Sequence, residues 1–219
     1  MAGTSPAMTS NLVCQFRMIG FVMFKPIDTA CIDRIFIAAR SHSGWFGDPV
    51  TEKDLRAIYE IAKWGPTTAN SQPQRIVFCT SAESKERLHP AMSKTNYEKT
   101  ATAPVVAILA YDLDFCDHIH RMYAKYPKAA DYYTTSDEVL RTTALRNASM
   151  QAAYFILAAR ALGFDCGPMS GFKNDVVDAE FFPEGRWKSN MLCAVGRGDP
   201  GKLHEKDPRL TFEETCRFA

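Results

Sequence analysis

The sequence predicts a mixed α/β or α+β sheet domain built around one long central helix. Three observations carry that expectation. The runs Arg75-Ile-Val-Phe-Cys-Thr80, Val105-Val-Ala-Ile-Leu-Ala-Tyr111 and Met191-Leu-Cys-Ala-Val195 are rich in β-branched and apolar residues, as strands are. Helical patterns with recognisable caps lie between them. From Ala148 to Leu162, twelve of fifteen residues are apolar, and a helix apolar nearly all round is expected to be buried in a domain centre or a subunit interface.

The elements follow in order. Asp28 or Thr29 caps a helix to about Ala39, with Ile32, Ile35 and Phe36 at helical spacing, broken at Arg40-Ser-His-Ser-Gly44. Thr51-Glu-Lys-Asp54 opens a second helix with Leu55, Ile58, Tyr59 and Ala62 on one face, stopped at Gly65-Pro66. A polar turn, Thr67 to Gln74, leads into the first strand, and a short helix from Ser84 to about Met92 follows it. Residues 112–135 read as a partly helical insertion whose tyrosines are candidates to line a pocket. Thr135-Ser-Asp-Glu138 is a capping box for the long helix, which stops at Gly163. A short helix near Lys173 to Glu180, the last strand, and a polar C-terminal arm complete the chain. Residues 1–25 read as a flexible extension and 26–219 as a single domain, since no linker or repeat divides the rest.

Composition excludes several classes of function. With 26 Lys+Arg against 25 Asp+Glu among 219 residues, the net charge is +1. No basic excess marks a nucleic-acid binder. The apolar runs Met18 to Phe24 and Ala152 to Ala159 fall far short of the roughly 20 residues a membrane span needs, and no small-residue cleavage site marks a signal peptide. Seven scattered cysteines without a Cys-x-x-Cys pair suggest neither a disulfide framework nor a zinc site. A reducing cytoplasmic location fits. His118 and His120 flank one residue but lack a third ligand nearby, so surface histidines are preferred to a metal site, and none is expected.

The usual catalytic signatures are absent: no Gly-x-Ser-x-Gly elbow, no His-Glu-x-x-His, no phosphate-cradling Gly-Lys loop and no Gly-x-Gly-x-x-Gly. Arg40-Ser41-His42 offers a guanidinium, a hydroxyl and an imidazole, a set suited to a dianionic phosphate through charge-assisted hydrogen bonds. Gly65-Pro66-Thr67-Thr68-Ala69-Asn70-Ser71-Gln72-Pro73, Gly167-Pro168-Met169-Ser170-Gly171-Phe172 and Lys206-Asp-Pro-Arg209 follow in that order. Each also has an ordinary reading as a turn, a helix stop or a solvated loop.

Taken together, these loops resemble the motifs of the nitroreductase family of FMN enzymes over Arg40 to Arg209. Ser43-Gly-Trp-Phe46 and the Arg209-Leu-Thr-Phe-Glu-Glu214 ending resemble, more narrowly, the malonic semialdehyde reductases within it. The resemblance implies a central, mostly antiparallel sheet flanked by helices, a homodimer with FMN at the interface, and NADH or NADPH as co-substrate. It implies that Arg40, Ser41, His42 and Arg209 hold the phosphate, with Lys206 as helper. Pro66, Thr67, Thr68 and Asn70 would reach the flavin of the partner subunit, while Asn96 and Lys99 would touch the pyrimidine edge of the flavin held by Arg40 and Ser41. Met169, Ser170 and Gly171 would form the loop at flavin N5, where only small residues let backbone approach closely. No acid/base constellation is expected, because the flavin carries hydride transfer and no side chain is assigned as catalytic.

Two departures stand out: Gly44 where many relatives carry Lys or Arg, and Ser170 where some carry Glu. The implied activity is NAD(P)H oxidation with hydride passed to a small acceptor, malonic semialdehyde or a similar aldehyde acid. A broad nitroaromatic or quinone reductase and a non-catalytic flavin-binding protein are the alternatives.

Overall fold

A computed structural model describes residues 26–219, and the extension read at 1–25 lies outside the described residues. The chain forms α1 (Thr29–Ile32, continued by a π-helical turn, Asp33–Ile37), α2 (Glu52–Ala62), β1 (Gln74–Cys79), α3 (Ala82–Glu86), α4 (Lys94–Ala101) and β2 (Val105–Asp112). It continues through α5 (Ile119–Met122), α6 (Ala129–Tyr133), α7 (Asp137–Ala161), β3 (Asp165–Met169), α8 (Asn174–Phe181), β4 (Trp187–Gly196) and α9 (Phe212–Thr215).

The four strands form one sheet in the order β1-β2-β4-β3, with every pairing antiparallel. Pro168, which cannot donate to a ladder, sits in the edge strand β3, where its missing donor is tolerated. The uninterrupted apolar run of β2 has a direct cause. Val105, Ala107 and Leu109 face Leu55, Ile58 and Phe155 of α2 and α7, while Val106, Ile108 and Ala110 face Leu88, Val177 and Phe182 on the other side. Helices cover both faces, so neither face of the strand is polar.

The caps account for the helix starts. Thr51 and Asp54 exchange the two hydrogen bonds of a capping box at α2. At α7 the cap is Ser136, which accepts from the amide of Val139. Gly163 ends that helix with φ of +94°, a conformation open to glycine.

Two helices depart from their sequence patterns. Only one face of α7, with Ala152, Phe155, Ala158 and Ala159, packs into the core beneath the sheet. Leu145, Met150 and Leu162 remain 38–43% exposed, because sheet and α2 cover one side of the helix only. Secondly, α4 has no counterpart among the elements predicted from the sequence. Thr100 is its only buried residue, so it lacks the apolar stripe by which a surface helix is recognised.

Residues 112–135 form a satellite core in which Phe115, Ile119 and Tyr133 close over Ala144 of α7. The segment is riveted by Asp112, whose carboxylate accepts from Arg75 Nη2 at 2.6 Å and from Arg186 Nε and Nη2 at 2.8 and 2.9 Å. Burial opposes the charge on Asp112, but the Arg186 hydrogen bonds, the Asp114 amide and the charge of Arg75 hold its carboxyl below the usual range.

Candidate functional site

The residues after α1 lie along the β3 edge of the sheet. Ser41 bridges Cys166 in parallel fashion, and the amide of His42 donates to the Cys166 carbonyl at 3.0 Å. Trp45 pairs with Gly198 and donates its indole N–H to the carbonyl of Lys99 at 3.1 Å, which binds this loop to α4. From α4, Asn96 Nδ2 donates to the Gly171 carbonyl at 2.7 Å, and Met92 bridges Phe172. A Cβ on Gly171 would stand 3.0 Å from Asn96 Nδ2, so the small residue keeps this approach open. The C-terminal arm returns to the same place, where Arg40 donates to the His204 carbonyl and Lys206 to that of Ile37.

One rim therefore gathers Arg40, Ser41, Asn96, Lys99, Met169, Ser170, Gly171 and Lys206. Met169 is half-buried against the core, while Ser170 and Gly171 are exposed. Among the described residues, Arg209 hydrogen-bonds only to the carbonyls of Asp207 and Pro208 in its own arm. Among the described residues, Arg40, Lys99, Lys206 and Arg209 have no carboxylate partner, so positive charge stands uncompensated here. Hydroxyl, exposed backbone and cationic side chains together are the donor set that a phosphate and a flat heterocycle require.

His42 is placed differently from Arg40 and Ser41. Its ring is 8% exposed and turned inward, with Nε2 3.7 Å from Asp165 Oδ1. It lies over Gly198, where a Cβ would fall 1.9 Å from Nδ1, and the Gly198 amide donates to Asp165 Oδ2 at 2.9 Å. Burial pushes the imidazole pKa down, the Asp165 carboxylate pulls the other way, and Arg40 and Arg160 add to the lowering. The side chain thus braces the loop from beneath, and the structure does not present it at the surface beside Arg40.

Pro66, Thr67, Thr68 and Asn70 form a second group, joined to the first by no hydrogen bond among the described residues. Tyr154 donates its hydroxyl to the Pro66 carbonyl at 3.1 Å, and Asn147 Oδ1 accepts the Thr68 amide at 2.8 Å. Gln151 Oε1 accepts the Gln74 amide at 2.9 Å, and Asn70 Nδ2 donates to the Met122 carbonyl at 2.9 Å. Ala69, Asn70 and Gln72 have φ of +49°, +48° and +42°. Such backbone costs non-glycine residues about 1–2 kcal/mol each and persists where the surroundings over-determine it, often at ligand clamps. Asn147 and Gln151, which hold the loop, were missed as site residues. Polar side chains within an otherwise apolar helix were the signal available for them.

No helix among the described residues is long and apolar enough to cross a membrane, and no group of three His, Cys, Asp or Glu there is placed to hold a metal.

Solved structures share this architecture. A provisionally named nitroreductase from Bacillus subtilis superposes with a TM-score of 0.80 at 21% identity, covering 88% of this chain and 100% of that one. A provisionally named nitroreductase from Exiguobacterium sibiricum, solved in complex with FMN, gives 0.78 at 18% identity, covering 90% and 100%. At such identities the likeness establishes the fold, that of an α+β protein of nitroreductase architecture. Sequence carries the assignment further. The nitroreductase family model matches residues 40–197, and a Ralstonia nicotianae protein provisionally named an NADH dehydrogenase/NAD(P)H nitroreductase is 46% identical over 191 residues, 87% of this chain and 97% of that one. The chain belongs to the nitroreductase family.

Proposed function

We propose that the protein is an FMN-dependent NAD(P)H oxidoreductase that acts as a homodimer in the cytoplasm. The observation that carries this reading is the return of the C-terminal arm to the end of α1, which sets Lys206 beside the Arg40-Ser41 segment, with neither Arg40 nor Lys206 ion-paired among the described residues. Bound there, FMN would accept hydride from the nicotinamide and pass it to an acceptor. Arg40, Ser41 and Lys206 would hold the phosphate, with Arg209 supplied by movement of its arm. Asn96 and Lys99 would hold the pyrimidine edge, where a donor near N1 and O2 favours the anionic reduced ring. Ser170 and Gly171 would offer backbone N–H toward N5.

The strained loop Pro66–Asn70 would complete the site of a second copy, which accounts for its separation from the first rim. Exposed Phe36 and Ile37 on α1, Leu145 and Met150 on α7, and Leu210, Phe212 and Phe218 on the arm supply apolar surface for such an interface. The acceptor read from the sequence is an aldehyde acid such as malonic semialdehyde, which takes up hydride and a proton to give an alcohol. A flat nitroaromatic or quinone is the second reading, favoured by the aromatic walls beside the loop at Tyr59, Phe78 and Trp187.

An absorption spectrum of the purified protein, before and after anaerobic NADH and then malonic semialdehyde, tests the reading. A flavin spectrum that bleaches and then returns is the expected result. Return only with a nitroaromatic or quinone would discard the aldehyde acid, and no flavin band after incubation with FMN would overturn the cofactor assignment.

A further inference from the structure

The chain after β4 runs back along the residues that follow α1. Trp45 pairs with Gly198, the amide of Asp199 donates to the Gly44 carbonyl at 3.0 Å, Arg40 donates to the His204 carbonyl and Lys206 to that of Ile37. Residues 198–206 thus climb from Trp45 towards Ile37 as an antiparallel companion of the Arg40-Ser41 segment. A further cation, Lys202, lies on this companion between the Gly44 and Arg40 contacts.

Its root is fixed. A turn of 3₁₀ helix, Pro200–Lys202, is capped by Asp199, whose carboxylate accepts the Gly201 amide at 2.8 Å. The Lys202 amide donates to the Asp199 carbonyl at 3.1 Å. From there the lysine stem lies along Gly44. A Cβ at Gly44 would fall 2.8 Å from Lys202 Cβ, 2.5 Å from its Cγ and 3.4 Å from its Cδ, and the first two atoms are too near the backbone to swing aside. Gly44 is not among the glycines with positive φ, so its backbone is one that other residues adopt. What glycine supplies at this position is room for the Lys202 stem.

The head of the same side chain is uncommitted. Lys202 is exposed, and its ammonium makes no ion pair or hydrogen bond among the described residues. A lysine whose stem is pinned against backbone while its charge stays in water gives up less freedom when an anion arrives. Guanidinium, hydroxyl and ammonium groups converging from two antiparallel segments suit a phosphate dianion, which accepts from all of them.

We infer that Lys202 is a further cation for the FMN phosphate, brought to the Arg40-Ser41 segment across Gly44. The inference rests on the flavin reading above and adds to it one residue and the reason for a glycine.

The test titrates flavin-stripped protein with FMN and with riboflavin, which lacks only the phosphate. Lys202→Gln is expected to weaken FMN binding roughly tenfold, the worth of a charge-assisted hydrogen bond, and to leave riboflavin binding unchanged. Its FMN affinity is also expected to fall less steeply with added salt than that of the wild type. Lys202→Arg is expected to keep most of the FMN affinity. Gly44→Ala, which displaces the stem, is expected to match the loss in Lys202→Gln, and the double variant to lose no more than either alone, because both changes act on one ammonium. Arg40→Gln is the reference for the phosphate reading. Unchanged FMN affinity in Lys202→Gln beside a loss in Arg40→Gln overturns the inference and leaves the flavin reading standing. Equal losses for FMN and riboflavin, or additive losses in the double variant, overturn it as well. A protein that binds neither flavin loses the flavin reading and the inference together.

Discussion

Asn96 Nδ2 and the Gly171 carbonyl lie 2.7 Å apart, and this bond joins α4 to the loop after β3. It aligns the proposed pyrimidine contacts with the exposed backbone of Ser170 and Gly171. Asn96→Ala is expected to weaken FMN binding roughly tenfold, through loss of one side-chain hydrogen bond and of the loop's position. Titration of flavin-stripped protein with FMN measures this, and an unchanged affinity at an unchanged melting temperature would remove Asn96 from the site.

Asp112 carries a different kind of weight. Its carboxylate is 1% exposed and paired with both Arg75 and Arg186. Asp112→Ala leaves those arginines facing a vacancy and is expected to cost about 3 kcal/mol, the lower end for a broken buried pair because Arg186 is partly in water. Its folded pKa is depressed, so the stabilisation is present above the unfolded carboxyl value of about 3.9 and is lost as pH falls through the folded pKa. Urea unfolding at pH 7 and at pH 3 should show the wild-type advantage over Asp112→Ala shrinking in acid.

His42 gives a dependence in another pH range. Its folded pKa is lowered chiefly by burial, so below the unfolded value of about 6.5 the unfolded chain takes up a proton before the folded one does. Stability is expected to fall as pH drops from about 6.5 towards the folded pKa, and His42→Gln to flatten that slope. Thermal melts between pH 7.5 and 5 decide the matter, since parallel curves for the two proteins would refute it.

What the sequence made legible was local. The Thr51 box, the β-branched strands and the glycine stop at Gly163 depend on neighbours a few positions apart. The inward turn of His42 depends on Cys166 and Asp165, more than a hundred positions away, and no local pattern encodes it. Arg40, Lys206, Asn96 and Gly171, the proposed phosphate and flavin contacts, could be singled out from sequence because their motifs are short. Their separation from the Pro66–Asn70 loop is encoded in no local pattern, since it follows from how α7 lies across the sheet, and only the resemblance, which gives that loop to the partner subunit's flavin, anticipates it. Nor did the tyrosines of 112–135 become pocket residues: Tyr133 is buried with Phe115, and His118, Arg121 and Met122 line the cavity beside the Pro66–Asn70 loop instead.

Gly65 stands where a side chain has no room, since a Cβ would fall 2.0 Å from the ring of Tyr154. Gly65→Ala is expected to displace that ring, break its bond to the Pro66 carbonyl and cost about 1–3 kcal/mol. Tyr154→Phe removes only the bond and should cost about 1 kcal/mol. Chemical denaturation of the two variants checks the order, and a milder Gly65→Ala would contradict it.

Ala69 and Ala62 offer a matched pair. Glycine at Ala69 relieves a φ of +49°, whereas glycine at Ala62 loosens the buried end of α2. Ala69→Gly is expected to leave stability unchanged or raise it by up to about 1 kcal/mol, and Ala62→Gly to lower it by about 1 kcal/mol. Equal losses at both positions would show that the loop carries no strain.

The strand order has a consequence for how the protein is made. β4 is the last strand to leave the ribosome, yet it lies between β2 and β3. Until Trp187 to Gly196 has emerged, β2 offers a bare apolar edge on one side, β3 has no sheet to join, and both helical layers lack their common floor. Nascent chains stalled short of Trp187 therefore hold an adhesive antiparallel pair, β1 with β2, the species on which holdase chaperones act, and the core closes only once β4 is free to pair.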